Sequence, residues 1–269
     1  MRIYNNVNSV NIQNTLNTTN TNMTKSLEKL SSGLRINRAA DDSAGLSVSE
    51  GLRSQIRGSQ MASRNANDAL AMLQITESGT QQITDSLQRM RELAVQSSNG
   101  TYTNTDRGYI QQEYTALASE INRIASATTY NGIEMLTGTT AFSFQISAAK
   151  SGSSSTISFT SINLASGLSF GGVSAQSAAQ TAIGQIDTLL ASVLSLRSTV
   201  GSTMNRLSTT VSNLGDMVTN LTDAESRIRD TNFASETMQF TRNQILTQSA
   251  QSMLSQANQL PSGVLGLLR

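Results

Sequence analysis

Two adjacent acids, Asp41 and Asp42, are the first residues whose pairing could carry chemistry. Neighbouring carboxylates can share a proton as a general acid–base pair or hold a divalent cation. Either task needs further ligands or bases, and no third acid or histidine stands close by in sequence. The run Asp41-Asp42-Ser43-Ala44-Gly45 is instead read as a loop that caps a helix. Serines are numerous, but a serine nucleophile needs a base. The chain has no histidine, so only a Ser–Lys pair would serve, and nothing marks one of its few lysines for that role. Without cysteine as well, thiol nucleophiles, disulfides, Cys/His zinc sites and His-based acid–base catalysis are excluded. No glycine-rich phosphate cradle and no cluster with metal-ligand spacing appears. Four Asn-x-Ser/Thr triplets, at Asn17, Asn22, Asn99 and Asn220, are expected by chance in a chain this rich in Asn and Thr. The chain is therefore read as a non-enzyme without catalytic, metal or cofactor site.

What remains is helical pattern. From Ile183 to Leu221, apolar residues recur at steps of three and four: Ile183, Ile186, Leu190, Val193, Val200, Met204, Leu207, Val211, Leu214, Val218 and Leu221, with Arg197 the one polar member. Such spacing places them on one stripe of a helix about 58 Å long. A stripe this long needs partners. Leu52, Ile56, Leu70, Leu73, Ile83, Leu87, Met90 and Ala94 predict a second helix, opened by a Ser47–Glu50 capping box and ending near Ser97-Ser98-Asn99-Gly100. Ile110, Tyr114, Leu117, Ile121 and Ile124 predict a third, stopped before the turn signal Tyr130-Asn131-Gly132. The short polar connection makes the second and third helices antiparallel. Arg197 is expected to reach the rim of the stripe or to meet an acid such as Glu77 or Glu120.

Between Glu134 and Asp187 the only charge is Lys150. Phe142, Phe144 and Ile146 alternate there, as do Ile157 and Phe159, which predicts a β-hairpin with a loose turn. Both ends of the chain carry thin stripes with few charges. The first comprises Ile3, Val7, Val10, Leu16, Met23, Leu27, Leu30 and Leu34; the second comprises Leu246, Ala250, Met253, Ala257 and Leu260. Segments so poor in apolar residues fold only when packed on something.

The predicted fold is mainly α: a long antiparallel helical bundle or coiled coil with paired amino- and carboxy-terminal helices and a small β-hairpin region. Low aromatic content (4%), no tryptophan and the single proline, Pro261, agree with long helices packed side by side. Residues 1–40 with 231–269 are expected to form a terminal coiled-coil domain, 41–136 with 178–230 a helical-bundle domain, and 137–177 its hairpin insert. A net charge of +1 argues against nucleic-acid binding. No apolar run reaches membrane-spanning length. The first residues lack the apolar core of a cleavable signal, so any export is expected to use another route.

Leu30-Ser31-Ser32-Gly33-Leu34-Arg35-Ile36-Asn37, followed by Ala40-Asp41-Asp42-Ser43-Ala44-Gly45-Leu46, resembles bacterial flagellin. So do Asn65-Ala66-Asn67-Asp68-Ala69, Met72-Leu73-Gln74 and Gln88-Arg89-Met90-Arg91-Glu92-Leu93-Ala94-Val95-Gln96. At the other end the resemblance covers Asp230-Thr231-Asn232-Phe233-Ala234-Ser235-Glu236, Gln244-Ile245-Leu246, Gln256-Ala257-Asn258-Gln259-Leu260-Pro261 and the final Leu-Leu-Arg. It departs at Asn232, where the family often has an acid, at Ser249-Ala250, where Ala-Gly is common, and in the short middle, where larger flagellins insert outer domains. The resemblance implies a subunit secreted unfolded through the flagellar type III export apparatus, with a chaperone, and added beneath a cap protein at the tip of an extracellular filament. Its implied partners are copies of itself, hook-junction and cap proteins, and host innate immune receptors; the alternative within the family is a hook–filament junction protein. Filament assembly is assigned to the terminal helices, at Ile3, Val7, Val10, Leu27, Leu30, Leu34, Leu246, Met253 and Leu260. Receptor contact is assigned to Arg89, Leu93 and Glu113, and a carboxy-terminal sensor motif to Leu265, Leu267 and Leu268.

Overall fold

A computed structural model describes residues 6–148, 155–164 and 171–267, with side chains as far as Gln259. The helices are α1 (Val7–Ser32), α2 (Ser43–Ser97), α3 (Asn104–Ala127), α4 (Gln176–Arg229) and α5 (Phe233–Leu267). Between α3 and α4 lie four short strands, β1 (Thr129–Tyr130), β2 (Ile133–Glu134), β3 (Ala141–Gln145) and β4 (Thr156–Thr160). The chain divides into two compact units: Met1–Ser54 with Asn220–Arg269, and Gln55–Thr219. The expected boundaries at residues 40 and 231 fall inside the first of these.

The Gln55–Thr219 unit holds the larger core. Ile83, Leu87, Met90 and Leu93 of α2, Ile110, Tyr114 and Ile121 of α3, and Ile186, Val193, Leu196, Val200 and Leu207 of α4 form one buried cluster. The pairs Ser97–Arg107 and Arg89–Glu113 run in opposite chain directions, so α2 and α3 are antiparallel. Thr103 caps α3 by accepting from the Asp106 N–H, while Asp106 accepts from the Thr103 N–H at 2.9 Å. Arg107 is only 7% exposed, and among the described residues no acid pairs with it. Its guanidinium donates to the carbonyls of Ser97 (2.9 Å) and Asn99 (3.0 Å) and to the side chain of Asn104 (3.2 Å). It thereby ties the open end of α2 to the start of α3, satisfying carbonyls that the helix itself leaves unpaired.

The buried line of α4 keeps Ile186, Val193, Val200, Leu207 and Leu214 of the expected stripe and departs from it at the positions between them. It runs Val193, Leu196, Val200, Thr203 and Leu207, while Arg197 and Met204 stand half-buried at its flank. Among the described residues Arg197 has no acid within ion-pair distance, so it occupies the rim and does not break the seam. Asn131 (φ 50°) and Gly132 (φ 76°) make the tight turn between β1 and β2, a pair of left-handed residues for which Asn-Gly is the favoured sequence. β3 and β4 are antiparallel, with Phe142 opposite Phe159 and Phe144 opposite Ile157. Ile157 and Phe159 enter the core.

In the other unit, α1 ends at Gly33, whose left-handed backbone (φ 73°) lets its N–H donate to the Lys29 carbonyl. The chain then forms an antiparallel bridge between Leu34 and Asp230. Asp41 accepts from the N–H groups of Arg38 (3.0 Å) and Asn37 (3.2 Å), which hold its carboxyl below the usual carboxylate range. Asp42 accepts from the Gly45 N–H at 2.9 Å and caps α2. The helix therefore starts at Ser43, and the expected Ser47–Glu50 capping box is not its opening. Glu50 lies on the helix side and accepts from both Arg53 and Arg229 at 2.8 Å, which lowers its pKa.

Candidate functional site

The terminal helices pair. Asn6 donates to the Ala257 carbonyl (2.9 Å), Ser9 to Asn258 (3.0 Å), and Leu34 bridges Asp230, so α1 and α5 are antiparallel. On α1 the inward line is Ser9, Ile12, Leu16, Thr19, Met23, Ser26 and Leu30; on α5 it is Phe240, Asn243, Thr247, Ala250, Leu254 and Ala257. Both follow alternating steps of three and four, the spacing of a coiled-coil seam. The seam is poor in bulk. Its fully buried members are Thr19, Ser26, Asn243, Ala250 and Ala257. The Asn243 side-chain N–H₂ is buried and has no hydrogen-bond partner among the described residues.

Several apolar side chains of the two helices face elsewhere. Val7 (56% exposed), Val10 (55%) and Leu27 (56%) point away from the seam on α1, as do Leu246 (48%) and Met253 (61%) on α5. The expected stripes are corrected in part: Leu16, Met23, Leu30, Ala250 and Ala257 lie on the inward lines. Of the assembly residues named from sequence, Leu30 and Leu34 are half-buried, whereas Val7, Val10, Leu27, Leu246 and Met253 are outside the pairing. Ile3 and the side chain of Leu260 lie outside the described residues. Sequence reasoning missed Phe233, Met238 and Ile245, which are exposed with them. It also missed the inward Thr19, Ser26 and Asn243, whose 3–4 spacing was visible only to a search for small as well as apolar residues.

Two shallow grooves mark the surface of the pair, the first on α5 alone and the second at the edge of the seam. One, of ≈ 700 Å³, runs along α5 past Ala234, Met238, Arg242, Ile245 and Leu246. The other, of ≈ 400 Å³, lies between Asn8, Asn11 and Ile12 of α1 and Met253, Gln256 and Ala257 of α5. Neither contains a group arranged for catalysis. Among the described residues no three metal-ligating side chains converge.

A second candidate lies on the Gln55–Thr219 unit. Arg89 donates to Glu113 from two nitrogens (2.8 and 3.0 Å) and to Glu92 (3.0 Å), which raises the pKa of its guanidinium. This ion-pair cluster is exposed. Leu93, expected beside it, is 2% exposed and belongs to the core. Tyr114, one residue beyond Glu113, is also in that core, and burial pushes its phenol up to about 12. Leu265 and Leu267 lie on α5 beyond the last described side chain, and Leu268 lies outside the described residues altogether.

Family models match both ends of the chain: the bacterial flagellin N-terminal helical region over residues 3–141 and the bacterial flagellin C-terminal helical region over residues 183–268. The flagellar filament 33 kDa core protein of Treponema phagedenis is 43% identical over 91% of this chain and 92% of its own length. The flagellin of Bacillus subtilis is 40% identical over the whole of both chains. The crystal structure of Bacillus cereus flagellin superposes with a TM-score of 0.51 at 30% identity, covering 56% of this chain and 88% of that one. Two matched ends, a helical fold in common and identity across nearly the full length place this chain in the bacterial flagellin family.

Proposed function

We propose that this chain is the structural subunit of a bacterial flagellar filament and self-assembles through its terminal helices. One observation carries the reading. The α1–α5 pair uses one line of each helix for itself and leaves Val7, Val10, Leu27, Met238, Ile245, Leu246 and Met253 uncovered on the other sides. Uncovered apolar side chains in such number, on helices that bury little against each other, favour further copies of the chain as their cover. The residues 1–40 and 231–269 then act as the assembling domain, and the remaining helices as the scaffold that presents it. A low-charge surface with no catalytic constellation suits a building block. Family membership supplies the rest of the proposal: secretion through the flagellar export apparatus with a chaperone, addition beneath a cap, junction to the hook, and an extracellular location.

Removal of residues 231–269 tests the reading. The truncated chain is expected to stay a soluble monomer with the Gln55–Thr219 core intact by circular dichroism, while the full chain forms filaments visible by electron microscopy. Filaments grown from the truncated chain would overturn it. Arg89 and Glu113, exposed and paired, are proposed as the surface that a host innate receptor would touch, with Leu93 supporting them from beneath.

A further inference from the structure

Four methionines are well exposed among the described residues: Met61 (51%), Met217 (43%), Met238 (65%) and Met253 (61%). Met72, Met90 and Met135 are buried. The exposed four divide by location. Met61 and Met217 lie on the Gln55–Thr219 unit, whereas Met238 and Met253 are on α5. Met238 lines the groove along α5 beside Ile245 and Leu246, and Met253 lines the groove shared with Asn8 and Ile12. Each of the two surface grooves on the terminal helices thus has a thioether at its edge.

A thioether suits such a place because it is apolar, flexible and polarizable, and so fits an irregular partner. It is also the one group on these grooves that a mild two-electron oxidant converts from apolar to polar. With hydrogen peroxide, the sulfur lone pair attacks one peroxide oxygen, the O–O bond breaks, and a proton shift releases water. Sulfur is oxidised to the sulfoxide, and peroxide is reduced. The new S=O is a strong acceptor on a surface whose next contact must be dry.

We propose that Met238 and Met253 are oxidation sites at which a peroxide blocks the free subunit from polymerising. The inference rests on the assembly reading above. An S=O buried without a donor at an interface disfavours association enough to raise the critical concentration for polymerisation roughly tenfold or more. Oxidation at Met61 or Met217 leaves that concentration unchanged, because neither lies on the grooves. Methionine sulfoxide is reducible by enzymes, so the block is reversible in principle.

The test treats monomeric full-length chain with a limited amount of hydrogen peroxide, induces polymerisation, separates polymer from monomer, and maps added oxygen by peptide mass in both fractions. Sulfoxide at positions 238 and 253 is expected to be enriched in the monomer fraction, while sulfoxide at 61 and 217 divides evenly. An even division at all four positions overturns the proposal. A second arm compares Met238→Leu/Met253→Leu with Met61→Leu/Met217→Leu after full oxidation: the first pair is expected to keep polymerising and the second to stop. If both stop, the block lies elsewhere and the proposal fails. Untreated parent chain runs alongside; its failure to polymerise would count against the assembly reading itself, which the peroxide arms do not decide.

Discussion

Arg89 and Leu93 stand four residues apart on α2, yet one is surface and the other core. Four residues advance a helix by one turn plus about 40°, enough at the margin of a buried stripe to separate the two fates. Truncating Leu93 removes a fully buried side chain and is expected to cost about 2–5 kcal/mol. Truncating Arg89 breaks only an exposed ion pair, and exposed pairs contribute little to stability. The expected outcome is that Leu93→Ala lowers the thermal midpoint by several degrees, while Arg89→Ala melts close to the parent. Equal losses in the two variants would show that Arg89 is structural. For the same reason a receptor-activation assay is interpretable on Arg89→Ala and ambiguous on Leu93→Ala. At this scale sequence pattern reads charges poorly. Arg197 sits in an apolar series at helical spacing, but the seam passes through its neighbour Leu196. Arg107 looks like an ordinary surface cation, and it is buried because the end of α2 offers it the carbonyls of Ser97 and Asn99. No pattern of residue types announces a partner that is backbone.

Among the elements, the α1–α5 pair is organised by small side chains more than by bulk. Asn243, 4% exposed with its amide N–H₂ unpaired among the described residues, sits between Phe240 and Thr247 on the inward line of α5. A polar residue at a seam position fixes register and lowers stability. Leucine branches at the same carbon, so Asn243→Leu replaces a buried unpaired donor by an apolar group of similar shape. Removing that penalty is expected to stabilise the helix pair by about 1–3 kcal/mol. Slower amide exchange along residues 7–32 and 233–259 would report it; faster exchange would show instead that the amide is satisfied or that the seam has no room. The stripes of α2, α3 and α4 were legible from sequence because large apolar residues line their cores. The alternation of Phe142, Phe144, Ile157 and Phe159 marks the β3–β4 hairpin for a similar reason, and Asn131-Gly132 marks the separate turn between β1 and β2. The terminal seam was legible only in part: Leu16, Met23, Leu30, Ala250 and Ala257 of the expected stripes lie on it. Counting apolar residues picks out Val7, Val10, Leu27 and Met253, which face away, and passes over Thr19, Ser26 and Asn243, which face in. The cap of α2 was legible in the Asp41-Asp42 loop, where Asp42 closes the helix with no acid three residues on, whereas Ser47 and Glu50 match the capping-box pattern without opening it.

Across the whole molecule, burial is distributed unevenly between the two compact units. The Gln55–Thr219 unit buries large side chains throughout, among them Leu73, Ile83, Met90, Tyr114, Phe159, Ile186 and Leu196. In the unit formed by Met1–Ser54 and Asn220–Arg269, the fully buried apolar residues among those described are Ile36, Ala250 and Ala257, and only Ile36 is large. Hydrophobic stabilisation follows the apolar area removed from water, so the two units cannot have equal resistance to opening. Local opening free energies range from near zero up to the global value of about 5–15 kcal/mol. In the isolated chain, amides of residues 7–32 and 233–259 are therefore expected to exchange roughly a thousandfold or more faster than those in residues 83–94, 110–125 and 186–207. Polymerisation should remove most of that difference, because copies of the chain would cover the outward faces of α1 and α5 and supply the apolar contact that the pair lacks. Hydrogen exchange read by mass spectrometry on monomer and polymer makes the comparison directly. Equal protection of both units in the monomer would mean that the helix pair is self-sufficient, and the uncovered residues on its outer faces would then need another explanation. Protection that appears only in the polymer would place the missing part of the terminal fold between subunits, where a single chain's sequence leaves it only as apolar residues on the far side of a thinly packed seam.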